Sequence, residues 1–259
     1  MDMESDKLNE NRRETAEAGH RVHGVLDGIA RACHDVGRDP AQVRLLPVSK
    51  THPIEALRAV NEALDEQTGH RAARLFGENH VQEIVAKTAQ KQADDDFGFA
   101  LIGHLQSNKV NAVAELIDEF QALDSLKLAR RLDRRLDSAG RSLRVLVEVN
   151  TSGEPAKHGV DPEQAYDFCA SLAPFRSLEV AGLMTVAVNS SDQARVAACF
   201  DRLVVLAGRL RDDAVLDSQW SELSMGMSGD YPLAIAHGST TVRVGTALFG
   251  PRDYDLARA

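Results

Sequence analysis

The sequence predicts a single-domain (β/α)8 barrel of the α/β class, preceded by an extra N-terminal helix, and three observations carry that expectation. Eight short runs rich in Val, Ile and Leu follow one another along the 259 residues. Longer segments of helical period separate them, the alternation that builds a parallel sheet covered by helices. The units average roughly 27 residues after a leading stretch of about 40, the size of a compact barrel. An open doubly wound sheet is the competing arrangement, but eight strands in succession without a long insertion close more naturally than they lie open. No stretch rich in Pro, Gly or Ser divides the chain, so one domain over residues 1–259 is expected, with residues 1–6 disordered.

Taken in order, Val22, Val25, Leu26, Ile29, Ala30 and Cys33 form an apolar stripe at helical spacing, the leading helix. Strands are expected at 44–49, 74–77, 99–105, 120–123, 143–150, 178–185, 221–225 and 241–246. Helices are expected at 53–65, 79–92, 107–118, 125–138, 162–173, 191–211 and 231–237. The 191–211 segment shows the period most plainly: Val196, Phe200, Leu203, Val204, Ala207 and Leu210 recur every three or four residues, opened by a Ser191 cap. Pro53 and Pro162 sit where a helix's first turn tolerates proline.

Charge and cysteine usage restrict the function. A net charge of −9 favours solubility and argues against a broad phosphate-backbone surface, so nucleic acid is not an expected partner. No run approaches 18 apolar residues, and the polar start MDMESDKLNENRRE lacks a signal peptide's apolar region. Neither membrane association nor secretion is expected; the compartment is the cytoplasm. Cys33, Cys169 and Cys199 lie far apart without a CxxC pair, which excludes a disulfide framework and a cysteine-built metal site.

A parallel barrel carries its site at the C-terminal ends of its strands. The first strand ends in Pro47-Val48-Ser49-Lys50, a lysine in a chain with only seven against 23 arginines. A solvated strand-end charge is the bland reading, and a desolvated amine that condenses with a carbonyl is the functional one. The seventh strand runs into Ser224-Met225-Gly226-Met227-Ser228-Gly229-Asp230 and the eighth into Arg243-Val244-Gly245-Thr246. Small residues, hydroxyls and a following helix start suit a phosphate, because bare backbone N–H groups approach it closely. A lysine opposite two such loops suits pyridoxal phosphate, whose aldehyde takes an amine and whose pyridine nitrogen needs a partner. Alternation along the last strand turns Arg243 inward toward that nitrogen if Val242 and Val244 face the helices. A phosphorylated sugar bound by an aldolase lysine suits the same loops.

VSKTHP at 48–53, FGENHVQE at 76–83, IGHLQSNK at 102–109, GLMT at 182–185, SMGMSGD at 224–230 and GSTTVRVGTALFG at 238–250 closely resemble the pyridoxal phosphate homeostasis protein family, also called proline synthase co-transcribed homologues. The resemblance runs from about residue 20 to 254. It implies a single-domain barrel similar to the N-terminal domain of alanine racemase, binding pyridoxal phosphate with no established reaction. It implies that Lys50 holds the aldimine, that Ser228, Gly245 and Thr246 hold the phosphate, and that Arg243 faces the ring nitrogen. Asn79, His104, Met184, Ser224 and Met227 would line the pocket. His80 stands where many relatives carry Tyr in GENYVQE.

Other signals are weaker. Gly226-Met227-Ser228-Gly229-Asp230 departs from the GxSxG nucleophile elbow at its last position. His20 and His23 share a helix face without a third ligand. Arg130, Arg131, Arg134 and Arg135 lie among Asp124, Asp133 and Asp137, as expected for ion pairs on a solvated helix face. The expected function is therefore a carrier or buffer of pyridoxal phosphate in vitamin B6 and amino-acid metabolism, with cofactor-requiring apoenzymes as possible recipients and a monomer as the expected state. The alternative is a pyridoxal-phosphate enzyme such as a racemase. Two-base racemisation takes its second proton donor from an added domain in alanine racemase, and a chain ending at Ala259 is expected to lack one.

Overall fold

Strand β8, Thr241–Val244, shows how this sequence makes a barrel: every residue in it is buried, with polar and apolar side chains in strict alternation. Val242 and Val244 face the surrounding helices, while Thr241 and Arg243 point into the ring. A computed structural model describes residues 3–69, 74–215 and 220–250. Its other strands are β1 Arg44–Pro47, β2 Arg74–Glu78, β3 Phe97–Leu101, β4 Glu119–Leu123, β5 Leu143–Glu148, β6 Leu178–Met184 and β7 Glu222–Met227. All pair in parallel, in the order β1-β8-β7-β6-β5-β4-β3-β2. Beyond β1, the Val48–Gly77 bridge and a 3.0 Å hydrogen bond from Ser49 N to Gly77 O join the two ends of that order into a (β/α)8 barrel.

The leading helix α1, Met3–Asp35, packs on α2, Ile54–Thr68, and on the last two helices, α8, Tyr231–Ala236, and α9, Thr246–Phe249. Arg21 Nε donates to Leu248 O at 2.7 Å and an Arg38 nitrogen to Ile235 O at 2.8 Å. The added helix therefore braces the elements that follow β7 and β8. Met1 and Asp2, part of the segment expected to be disordered, lie outside the described residues.

The remaining helices are α3 Val81–Ala89, α4 Val110–Val113, α5 Leu126–Ser138, α6 Ala165–Ala170 and α7 Gln193–Asp212. On α5 Leu128, Leu132 and Leu136 bury one stripe, and Ser125 Oγ accepts from Leu128 N at 3.1 Å to close the first turn. The cap of α7 is Asp192 rather than Ser191: its carboxylate accepts from both Ala194 N and Arg195 N, and its charge suits the positive end of the helix. Two expected helices are shorter. Segment 107–118 becomes a 3-10 turn, Ser107–Lys109, and the single turn α4, and segment 162–173 contracts to α6. Strand β3 stops at Leu101, four residues early, because the chain must turn at Gly103, where a Cβ would stand 2.3 Å from Asn79 O.

The ion pairs expected on α5 do not form. Among the described residues Arg135 pairs with Glu115, Asp133 Oδ1 accepts the Ser177 N–H at 2.9 Å, and Asp124 faces His104. Asp133 is thereby spent on a backbone amide that would otherwise lack a partner. Cys33, Cys169 and Cys199 are free and buried, and burial pushes the Cys169 thiol up to about 12. No described helix is long and apolar enough to cross a membrane.

Candidate functional site

The barrel interior is polar along β4, β7 and β8. At its N-terminal end Arg44 and Arg144 hold Glu119 and Glu222, with Arg44 reaching Glu119 Oε1 at 2.9 Å. Burial pushes the Glu222 carboxyl up, but Arg44, Thr241 and Arg144 outweigh it and keep the group below its ordinary range. One layer higher, Gln121 Nε2 donates to Glu119 Oε1 at 2.6 Å and Gln121 Oε1 accepts from Ser224 Oγ at 2.7 Å. Arg243, 4% exposed, donates to Ser224 Oγ and to Thr185 O, each at 2.7 Å. A chain of hydrogen bonds thus runs from the charged floor to the guanidinium beneath the mouth. Burial lowers Arg243 to about 10, partly offset by the field of Glu148.

Above Arg243 opens a cavity of about 400 Å³. Lys50, Asn79, Met227, Ser228, Arg243, Gly245 and Thr246 line it, together with Val48, His52, Ile102, Val186 and Gly229. On one side, Gly226, near the end of β7, adopts φ +91° and lies close against α8. Asp230 Oδ1 accepts from Met227 N at 2.6 Å, and Ser228 Oγ accepts from Gly245 N at 3.2 Å. The first bond closes the loop after β7 and the second ties it to the loop after β8, where Thr246 opens α9, whose first amides have no partner within the helix. His52 stacks on Phe249 at 5.1 Å and joins the start of α2 to this ledge.

On the other side, Lys50 follows Ser49, whose Oγ donates to Glu78 Oε1 at 2.6 Å. The ammonium of Lys87 pairs with Glu78 and donates to Ser49 O at 2.9 Å. Glu78 is fully buried and Lys87 is 6% exposed. Burial raises Glu78 to about 7, with Lys87 and Ser49 pulling the other way. Thr51, at φ +66°, takes a left-handed backbone unusual for a β-branched residue, with its N–H donating to Glu83 Oε2 at 2.7 Å. The strain and the buried pair fix the backbone on both sides of Lys50.

Three expected pocket residues are not among those lining this cavity. Ser224 is fully buried beneath Arg243 and positions it, and Met184 is buried at the end of β6. His104 faces Asp124 and His158 on the β3–β5 side of the mouth. The sequence reading missed Glu78 and Lys87, because nothing local marks a charged residue that the fold will bury. It also missed the apolar liners Val48, Ile102 and Val186, which carry no chemical signature. A larger cavity, about 580 Å³, opens among Arg144, Phe175, Arg176, Leu178, Glu179 and Trp220; no lysine lines it.

Residues 30–253 match the family model for the alanine racemase N-terminal domain. The pyridoxal phosphate homeostasis protein of Vibrio alginolyticus is 41% identical over 84% of this chain and 90% of that protein. PipY of Synechococcus elongatus, solved with pyridoxal phosphate bound, is 36% identical, with a TM-score of 0.71 over 86% of this chain and all of that one. An alanine racemase of Clostridium difficile shares the fold at TM-score 0.65 and 12% identity, over 88% of this chain and 56% of that one.

Proposed function

This chain belongs to the pyridoxal phosphate homeostasis protein family, and on that premise we propose that it binds pyridoxal phosphate as a carrier or buffer in the cytoplasm rather than as a catalyst. The observation that carries the reading is one cavity with Lys50 on one wall, the Ser228–Gly245–Thr246 ledge on the other and Arg243 beneath. The donor set fits the group: a primary amine, two hydroxyls beside backbone amides, and a cation. The space fits as well, because Gly245 lets the ledge lie against β1, where a Cβ would come 3.1 Å from Val48 O.

Bound there, pyridoxal phosphate supplies an aldehyde that an amine attacks, an anionic phosphate and a pyridine ring. Lys50 supplies the amine, its backbone held by Ser49, Glu78 and Lys87. Ser228 and Thr246 donate to the phosphate together with the opening amides of α9, whose positive helix end favours the charge. Arg243, lining the cavity, would face the pyridine nitrogen. Arginine is a donor that does not give up its proton, so it leaves the nitrogen unprotonated and the ring a weak sink for electrons. That suits holding and exchanging the cofactor and disfavours deprotonation at a substrate's Cα.

Two measurements test this. Holoprotein mixed with a cofactor-requiring apoenzyme is expected to restore its activity, while L- and D-amino acids in heavy water keep their Cα hydrogens. Deuterium incorporation at enzymatic rates, or a cofactor never released to any apoenzyme, overturns the carrier reading. Replacing Ser228 and Thr246 together by Ala removes two charge-assisted hydrogen bonds of about 1.5–3 kcal/mol each. Affinity for pyridoxal phosphate is expected to fall by at least about tenfold, with little change for pyridoxal; equal losses for both ligands contradict the phosphate assignment.

A further inference from the structure

Three side chains at the barrel mouth converge apart from the Lys50 cavity. His104 comes from the loop after β3, Asp124 from the residue after β4 and His158 from the loop after β5, so three successive strands deliver them to one place. His104 Nδ1 lies 3.5 Å from Asp124 Oδ2. The His104 and His158 rings stack with centroids 4.1 Å apart and planes 9° from parallel. One donor atom from each residue lies within 4.8 Å of the other two. Nearby on the barrel wall, Glu148, 8% exposed, lies in the fields of both Asp124 and Arg243.

We propose that His104, Asp124 and His158 form a binding site for a divalent transition-metal ion of the zinc class. Two imidazoles and one carboxylate match such ions, whereas magnesium and calcium take oxygen ligands. Three protein ligands leave a fourth position for water or an outside ligand. At Zn–N distances of about 2.0–2.1 Å, tetrahedral ligation brings the two nitrogens to roughly 3.3 Å. The stacked rings must therefore turn about their Cβ–Cγ bonds toward Asp124. Both histidines are exposed, so the turn breaks no core packing. The site does not depend on the cofactor reading, because none of its three ligands lines the Lys50 cavity.

The test uses the full chain without an affinity tag, stripped with chelator and titrated with zinc alone by calorimetry near neutral pH. One ion per chain is expected at micromolar zinc. His104→Ala, His158→Ala and Asp124→Asn are each expected to weaken binding by at least about tenfold, with thermal melts unchanged. The paired change His20→Ala and His23→Ala, on α1, leaves binding intact. Cobalt(II) provides a second readout, its d–d absorption expected in the native chain and lost in His158→Ala. Absence of saturable binding at micromolar zinc overturns the proposal. So does affinity unchanged in His104→Ala and His158→Ala, or binding that disappears with His20 and His23.

Discussion

Lys50→Ala is expected to abolish covalent retention of pyridoxal phosphate: after borohydride treatment the native chain carries a label on the peptide containing Lys50, and the variant carries none. The lysines themselves make the argument. Lys87 is spent on Glu78 and Ser49 O, Lys91 on Phe97 O, and Lys157 on Ala187 O at 2.9 Å and Glu154 at 3.4 Å. Among the described lysines only Lys50 lines the cavity shared with Ser228, Gly245 and Thr246. An amine outside the cavity is misplaced for attack on an aldehyde held within it. The variant keeps its phosphate ledge, so it is expected to bind the cofactor reversibly and to lose it on dialysis. A label found on Lys109 or Lys157, or one that survives in Lys50→Ala, sinks the assignment.

Lys87→Met is expected to destabilise the fold by about 3–5 kcal/mol, the cost of leaving a buried carboxylate without its counter-ion. Glu78 retains Ser49 Oγ as a donor, but one hydroxyl does not replace an ammonium. Adding Glu78→Gln removes the stranded charge and is expected to restore most of the loss, a coupling that a double-mutant cycle reads directly. The pH dependence follows from the raised carboxyl. Glu78 titrates at about 7 in the fold, against an ordinary value of 4.5. A folded state that holds the proton more tightly than the unfolded one is favoured in acid. This group's contribution is therefore most favourable below pH 4.5 and is lost as pH rises through about 7. Removing Lys87 moves the folded value higher still, so the variant's deficit is expected to shrink as pH falls from 8 toward 5. Denaturant melts across that range check it; a deficit independent of pH contradicts the stranded-charge account. Because Lys87 donates to Ser49 O, the same variant is also expected to loosen the backbone that carries Lys50.

The comparison of expectation with structure divides along a physical line. All eight strands, their parallel order and the added helix were legible because hydrophobic period reports burial directly, and burial drives the packing of strand against helix. Lys50 and the two small-residue loops were legible for a related reason: a strand end in a parallel barrel faces the mouth whatever else the chain does. The resemblance to a known family sharpened these into individual residues, seven of which line one cavity.

What the linear order did not carry was the company each side chain keeps. Ser191 and Asp192 are both capable caps, and only the path of the backbone into α7 decides that Asp192 reaches the two amides. Strand β3 has apolar residues enough to continue, yet it ends where Gly103 meets Asn79 O, a contact between segments 24 residues apart. Glu78 and Lys87 look like solvated charges until β1, β2 and α3 enclose them. His104 was read from the resemblance alone, and its neighbours Asp124 and His158 appear only once the ends of successive strands meet at the rim. The sequence by itself determined the architecture and the placing of Lys50 at the barrel mouth, because period and strand-end position are local properties. Only the tertiary structure decided which charges are buried and paired, because desolvation and Coulomb energy depend on distances between residues far apart in the chain.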